Sequence, residues 1–121
     1  MRKAFEGRPS VLHFAVHVLR APDQTTNAMI ALGLDETGAS EFLGPAEIPT
    51  WKGDADLVVL SGCGSGVAVA PPATGLMGLT RAWLMAGAAS VVASRWSTPD
   101  DSGELFRKFY EHLQNGTRGA A

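Results

Sequence analysis

"LVVLSGCGSG", Leu57 to Gly66, runs four apolar residues into a glycine-rich turn that holds Cys63, the only cysteine of the chain. The unbroken Leu-Val-Val-Leu predicts a strand over Asp56–Ser61 that is buried on both faces, as in a parallel sheet. The turn after it has three readings: a nucleophile displayed at a strand end, a buried structural thiol, or a phosphate-binding loop. The third fails on spacing. Gly62, Gly64 and Gly66 give G-x-G-x-G, whereas a dinucleotide fingerprint needs G-x-G-x-x-G opening straight into a helix. Here Pro71-Pro72 stand in the way, and no Walker lysine is present.

Outward from this stretch, "VLHFAVHV" (11–18) reads as one buried strand and "AMIALGL" (28–34) as a second. "DETGAS" is a turn cluster, and "GPAEIPTW" has room for a helical turn or two between Pro45 and Pro49. Gly75–Ala86 is predicted helical, with Leu76, Leu79 and Trp83 on one face and Met77, Thr80 and Leu84 beside them. Only Thr80 and Arg81 are polar there, so the helix is expected to be largely enclosed. "SVVAS" (90–94) predicts another buried strand. Asp101 followed by Glu104 resembles a capping box and opens a last helix that turns Leu105, Phe106, Phe109 and Leu113 inward and stops at Asn115-Gly116. This order predicts an α/β sandwich with a mainly parallel sheet. The tail "TRGAA" (117–121) is expected to fray.

At 121 residues and 45% apolar composition, the chain is one domain with one real core. A net charge of −2 gives no electrostatic case for nucleic acid or an anionic membrane. The uncharged run 57–80 is broken by glycines and prolines, so no membrane span is expected. The N-terminus has basic residues but no apolar stretch behind them, so no signal peptide is expected. One cysteine forms no internal disulfide, and no Cys/His set has zinc spacing. A cytoplasmic protein is the expectation.

In parallel α/β sheets, function gathers at the carboxyl ends of strands. Two predicted strands end in reactive residues, one at His17 and one at Cys63. On neighbouring strands, imidazole and thiol would share a crevice. The imidazole would then raise the thiolate fraction and later protonate a leaving amine. The structural reading is as simple: a small buried thiol and a hydrogen-bonded histidine.

These residues resemble a family. "VLHFAVHV" looks like the "LHFATHG" strand of CHAT domains, caspase-like cysteine peptidase domains often fused to tetratricopeptide repeats. "ADLVVLSGCGSG" looks like that family's "ADLVVLSACETG". The segment from "GLMGLTRAWLMAGAASVVASRWSTPDD" to "FYEHLQNG" resembles its continuation, and "MIALG…EFLGPAEIPTW" the segment before the cysteine strand. The similarity runs in one order from Val11 to Gly116. Residues 1–10 then form an amino-terminal extension, 11–116 the carboxy-terminal part of the domain, and 117–121 a tail.

The resemblance implies a caspase-hemoglobinase-like three-layer sandwich with a mainly parallel sheet, lacking its amino-terminal strands. It implies a cysteine endopeptidase with His17 as base and Cys63 as nucleophile, and an oxyanion hole from the backbone N–H groups of Val18 and Cys63. His13, four residues deeper in the strand, becomes a core residue or one standing behind the dyad. Three departures accompany it: Val18 replaces a glycine; Gly62 replaces an alanine and Gly64-Ser65 a Glu-Thr pair around the cysteine; and only ten residues precede Val11, where the family carries further strands and helices. For substrate binding, Asp100, four residues after Trp96, matches an acidic position that receives a basic side chain. Arg95, in place of a leucine, would favour an acidic one, and Trp96 lines a pocket wall or packs on the last helix. No cofactor and no metal are implied. The expected partners are a protein or peptide substrate and a second chain, or a second copy, completing the sheet. The alternative is a non-catalytic caspase-like module for binding or assembly.

Overall fold

A computed structural model of the chain describes residues 2–20, 28–62, 72–94 and 103–116. Its strands are β1 (Val11–Phe14), β2 (Val18–Arg20), β3 (Ala28–Leu34), β4 (Ser40–Leu43), β5 (Leu57–Leu60) and β6 (Val91–Ala93). Its helices are α1 (Arg2–Glu6), α2 (Pro72–Ala86) and α3 (Gly103–Gln114). Among the described residues the strands divide between two sheets. One is parallel, in the order β1-β5-β6, and the other antiparallel, in the order β2-β3-β4. The α/β class follows as predicted, with only half of the strands in the parallel sheet.

The parallel sheet is built around β5, whose four side chains are all buried. Alternation along the strands sorts its two faces. Phe14, Val58 and Leu60 join the main core with Leu79 and Trp83 of α2, and Val91 and Ala93 pack against it. His13, on the opposite face of β1, meets Phe106 and Tyr110 of α3. The two helices therefore cover opposite faces of one sheet.

The α2 side is dense. Trp83 is fully buried, with Phe5, Phe14 and Trp51 rings at 5.2, 5.1 and 6.0 Å. Phe5 comes from α1, and Gly53 lets it in, since a Cβ there would overlap the Phe5 ring. Gly87 ends α2 at φ +116, with Ala88 N–H donating to the Trp83 carbonyl and Gly87 N–H to that of Leu84, the Schellman pattern.

Several expectations change. The single strand over 11–18 breaks at Ala15–His17, and its two halves join different sheets. Apolar alternation reports which face is buried, not which strand is the partner, so it ran straight through the break. Helix α2 opens at Pro72 rather than Gly75, because proline in the first turn loses no hydrogen bond. Nor is α2 enclosed: Leu84 is exposed and Met85 is 65% exposed. Among the described residues β6 is an edge strand with Val92 exposed, not a buried one. On α3, Phe106 and Phe109 turn inward, but Leu105 is 61% exposed, Leu113 is exposed and no residue is fully buried. The turn at 35–40 and the stop at Gly116 (φ +68) stand as predicted. In that turn Asp35 accepts from Thr37 N–H, Thr37 Oγ1 and Ala39 N–H at 2.8, 2.6 and 3.0 Å.

The Trp83 indole N–H is buried with no hydrogen-bond partner among the described residues. Truncation and removal of that N–H should therefore separate. Trp83→Ala opens a cavity under three rings and should cost about 3–5 kcal/mol. Trp83→Phe leaves a smaller void and also removes an unpaired donor whose burial costs about 1–3 kcal/mol, so the two effects nearly cancel. Urea unfolding of both variants checks this. Equal destabilisation would show that the indole nitrogen carries no penalty.

Candidate active site

Strands β1 and β5 run parallel in the register Val11↔Leu57 to Phe14↔Leu60, so the chain leaves both at the same end of the sheet. From β1 it passes through Ala15, Val16 and His17 into β2; from β5 it passes through Ser61 and Gly62 toward Cys63. The Ser61 N–H donates to the Phe14 carbonyl at 3.0 Å, extending the ladder one step past the strand. Gly62 then lies against the Val16 carbonyl. A Cβ on Gly62 would overlap that oxygen and crowd Val18 Cγ2. The residue before Cys63 thus abuts the residues on either side of His17.

His17 has an exposed side chain, and its backbone is held from the other sheet, its carbonyl accepting the Ala31 N–H at 2.9 Å. That bond, with Val18 opposite Ile30, makes Val18 and Ile30 a non-hydrogen-bonded pair. The Val18 N–H therefore points away from β3, off the edge of the antiparallel sheet. Arg8 is the sole non-glycine residue with positive φ among the described residues, so Val18 sits in β2 without strain. Cys63, Arg95, Trp96, Asp100 and Asp101 lie outside the described residues.

Behind this junction lies a polar chain. His13 Nε2 is 2.6 Å from Ser61 Oγ, and the Tyr110 hydroxyl is 2.8 Å from His13 Nδ1. Ser61 Oγ is also 3.4 Å from the Phe14 carbonyl, to which it can donate. With that donation made, Ser61 Oγ accepts from Nε2–H, and Nδ1 accepts the Tyr110 proton. Burial lowers the His13 pKa below its ordinary value and raises that of Tyr110, favouring the neutral forms this chain uses.

Sequence reasoning left Ser61 and Tyr110 unassigned. Two faint signals pointed to them: a hydroxyl closing an otherwise apolar strand, and a polar ring four residues after Phe106 on the inward stripe of the last helix.

A groove of about 330 Å³, lined by Ser10, Val11, Asp56, Leu57, Ser90 and Leu113, opens at the amino ends of the parallel strands. It is at the far end of the sheet from Gly62 and takes no part in the site. Among the described residues no helix is long and apolar enough to cross a membrane.

The family model described as CHAT domain matches residues 1–121. The chain belongs to the CHAT domain family. No curated protein and no solved structure matches it. The match takes in α1, whose Phe5 lies in the core of this CHAT domain.

Two outcomes follow from this geometry. Gly62→Ala has no room beside the Val16 carbonyl and should destabilise by about 1–3 kcal/mol, as over-packed sites do. A denaturation midpoint equal to that of the parent would show that the strand ends separate easily. The second concerns pH. Among the described residues the side chains that bond to or stack on His13, namely Ser61, Tyr110 and Phe106, carry no charge at neutral pH. Because its folded pKa is lowered, the unfolded chain takes up the proton first as pH falls. Its contribution to stability is therefore intact above the ordinary histidine value of about 6.5 and is lost as pH drops from there toward the lowered folded value. Thermal unfolding between pH 7.5 and 5 should show this fall, and His13→Gln, which does not titrate, should lessen it.

Proposed function

We propose that this CHAT domain is a cysteine endopeptidase on a caspase-like sandwich, with His17 and Cys63 as its dyad and a protein or peptide as substrate. The observation that carries the reading is the contact of Gly62 with Val16 and Val18. It ties the chain one bond from Cys63 to the chain one bond from His17. Dyad chemistry needs this pairing, because a thiol is mostly protonated at neutral pH until an imidazole takes its proton.

In this mechanism His17 takes the Cys63 proton and the thiolate attacks the scissile carbonyl carbon. A C–S bond forms and the carbonyl electrons move to oxygen. The resulting oxyanion accepts from the N–H groups of Val18 and Cys63. The direction of the Val18 N–H, away from β3, suits that role. The tetrahedral adduct collapses, the C–N bond breaks, and the His17 imidazolium gives its proton to the departing amine. Water, deprotonated by His17, then attacks the thioester, and the acid product leaves with the thiol restored. Asp100, Arg95 and Trp96 are the proposed contacts to the side chain before the cut, Asp100 favouring a basic one and Arg95 an acidic one.

The test is alkylation of Cys63 by iodoacetamide from pH 5 to 9 in the parent and in His17→Ala, beside cleavage of peptides carrying Arg, Lys or Asp before the scissile bond. The parent should alkylate near neutral pH and lose that behaviour without His17. Cleavage should fall about 10²–10⁴-fold in His17→Ala. A thiol that reacts only after denaturation, or titrates alike in both proteins, rules the peptidase out. It would favour the binding module, for which exposed Leu34 and Met85 provide apolar surface.

A further inference from the structure

We propose that the outer face of the antiparallel sheet, beside His17, is a binding shelf for apolar side chains of an extended polypeptide substrate, with Phe42 and Leu34 as its principal contacts. The inference rests on the peptidase reading above for its occupant, and the shelf itself is made of described residues alone.

Register decides which side chains share this face. Ile30 stands between Val18 and Leu43 and is buried in the core, against which Val18, Ala28 and Leu32 also pack. Alternation turns the residues between them to the other side. There Leu19 pairs with Met29, and Ala31 with Phe42. The Ala31 N–H on the His17 carbonyl continues the β2–β3 ladder one step past Val18 and Ile30, which sets His17 opposite Ala31. His17, Ala31 and Phe42 thus form one row across three strands. Leu19, Met29, Ala31 and Phe42 stand outside the main core, and Phe42 is 40% exposed. The register shift between Ala31 and Gly33 brings in a fifth apolar residue. After it Leu34 pairs with Ser40, two residues from Phe42 along β4, so Leu34 shares the Phe42 face, where it is 70% exposed.

Position and size argue for a polypeptide on this shelf. The proposed base lies in the same row, so a chain whose scissile bond reaches His17 passes beside it. Neighbouring strands are about 4.8 Å apart, which puts Phe42 about 10 Å from the strand of His17, a distance an extended chain covers in about three residues. Leu19 lies two residues along the chain from His17, with Met29 beside it. The shelf therefore reads side chains two or three residues from the cut. Its lining is aliphatic, thioether and aromatic, and the register places Glu41 on the opposite face, so it selects apolar side chains. An exposed apolar patch of this kind covers a few hundred Å². That accommodates two side chains, whereas a stable pair of folded subunits needs about 800 Å² from each.

The experiment uses the full chain. Fluorescein-labelled ten-residue peptides carry Arg or Asp before the intended scissile bond. Two and three residues from that bond, on either side, they carry either Leu and Phe or serine. Anisotropy measures their binding in a Cys63→Ala background, which does not cleave, and kcat and KM are measured with Cys63 in place. Phe42→Ser and Leu34→Ser alter the shelf. Leu84→Ser removes an exposed leucine from α2 and is the control. The apolar peptides should bind more tightly than the serine ones, and Phe42→Ser should weaken their binding about tenfold. In cleavage, KM should rise with kcat held, the mark of a contact made equally in ground and transition states. Leu84→Ser should change neither. Equal binding of the two peptide sets, or equal losses in Phe42→Ser and Leu84→Ser, overturns the shelf. If cleavage still depends on His17 in that case, the peptidase reading stands without it. Apolar binding that needs Phe42, in a chain that cleaves no peptide and whose alkylation ignores His17→Ala, supports the shelf and removes the peptidase. A parent that elutes as a dimer and becomes a monomer in Phe42→Ser assigns the face to a second copy and overturns the inference. If circular dichroism shows that Phe42→Ser does not fold, Leu34→Ser decides alone.

Discussion

Parallel pairing of β1 with β5 is the constraint on which the rest of this molecule depends. Four residue pairs in register, from Val11↔Leu57 to Phe14↔Leu60, oblige two segments far apart in sequence to emerge side by side at one end of a sheet. Antiparallel pairing would have sent them to opposite ends. The pairing is secured by β5, buried along its whole length, where each apolar side chain contributes about 1.5–3 kcal/mol. It is continued by the Ser61 N–H on the Phe14 carbonyl. Ser61, two residues before Cys63, is therefore attached to a strand whose four side chains are all buried, by a direct extension of its hydrogen-bond ladder.

At the junction, two departures from the family pattern lie side by side. The resemblance leads one to expect a glycine at position 18 and an alanine at position 62; this chain has valine and glycine. Taken singly, each looks like damage to a catalytic motif. In the structure they are neighbours: a Cβ on Gly62 would overlap the Val16 carbonyl oxygen and come within 3.1 Å of Val18 Cγ2. The main obstacle to a side chain at 62 is therefore the Val16 backbone, and Val18 adds a second tight contact beside it. Val18 also lies in an ordinary strand conformation, so its β-branch brings no backbone strain.

Much of this was legible in the sequence, for physical reasons that also mark where legibility ended. Strand β5 was plain because four adjacent apolar residues before a glycine turn have few other uses. Asp35 and Gly38 announced the β3–β4 turn through chemistry local to it. The break at Ala15–His17 was hidden, since burial continues through it while the partner strand changes. Membership of two sheets is a property of the fold, and no local pattern records it. The exposure of Leu84, Met85, Leu105 and Val92 was hidden likewise: an apolar residue on a helix or strand is expected inward, and whether another layer covers it depends on elements elsewhere. His13 was read as a core residue or one standing behind the dyad, and its bonds to Ser61 and Tyr110 fit both descriptions.

The two faces of the parallel sheet are unlike among the described residues. On one face Trp83, Phe14, Phe5 and Trp51 form a closed aromatic core reaching from α1 to α2. On the other, α3 rests on β1 through two rings and a hydroxyl, and a groove of about 330 Å³ opens beneath its far end beside Leu113. The outer face of α3 holds Arg107 between Glu104 and Glu111, exposed pairs that support the helix itself and do nothing to seat it on the sheet. Among the described residues the ring contacts of α3 with the sheet fall on His13, whose two hydrogen bonds also reach Ser61, two positions before Cys63. A side chain bonded both to the last helix and to the end of β5 cannot be replaced without disturbing both contacts.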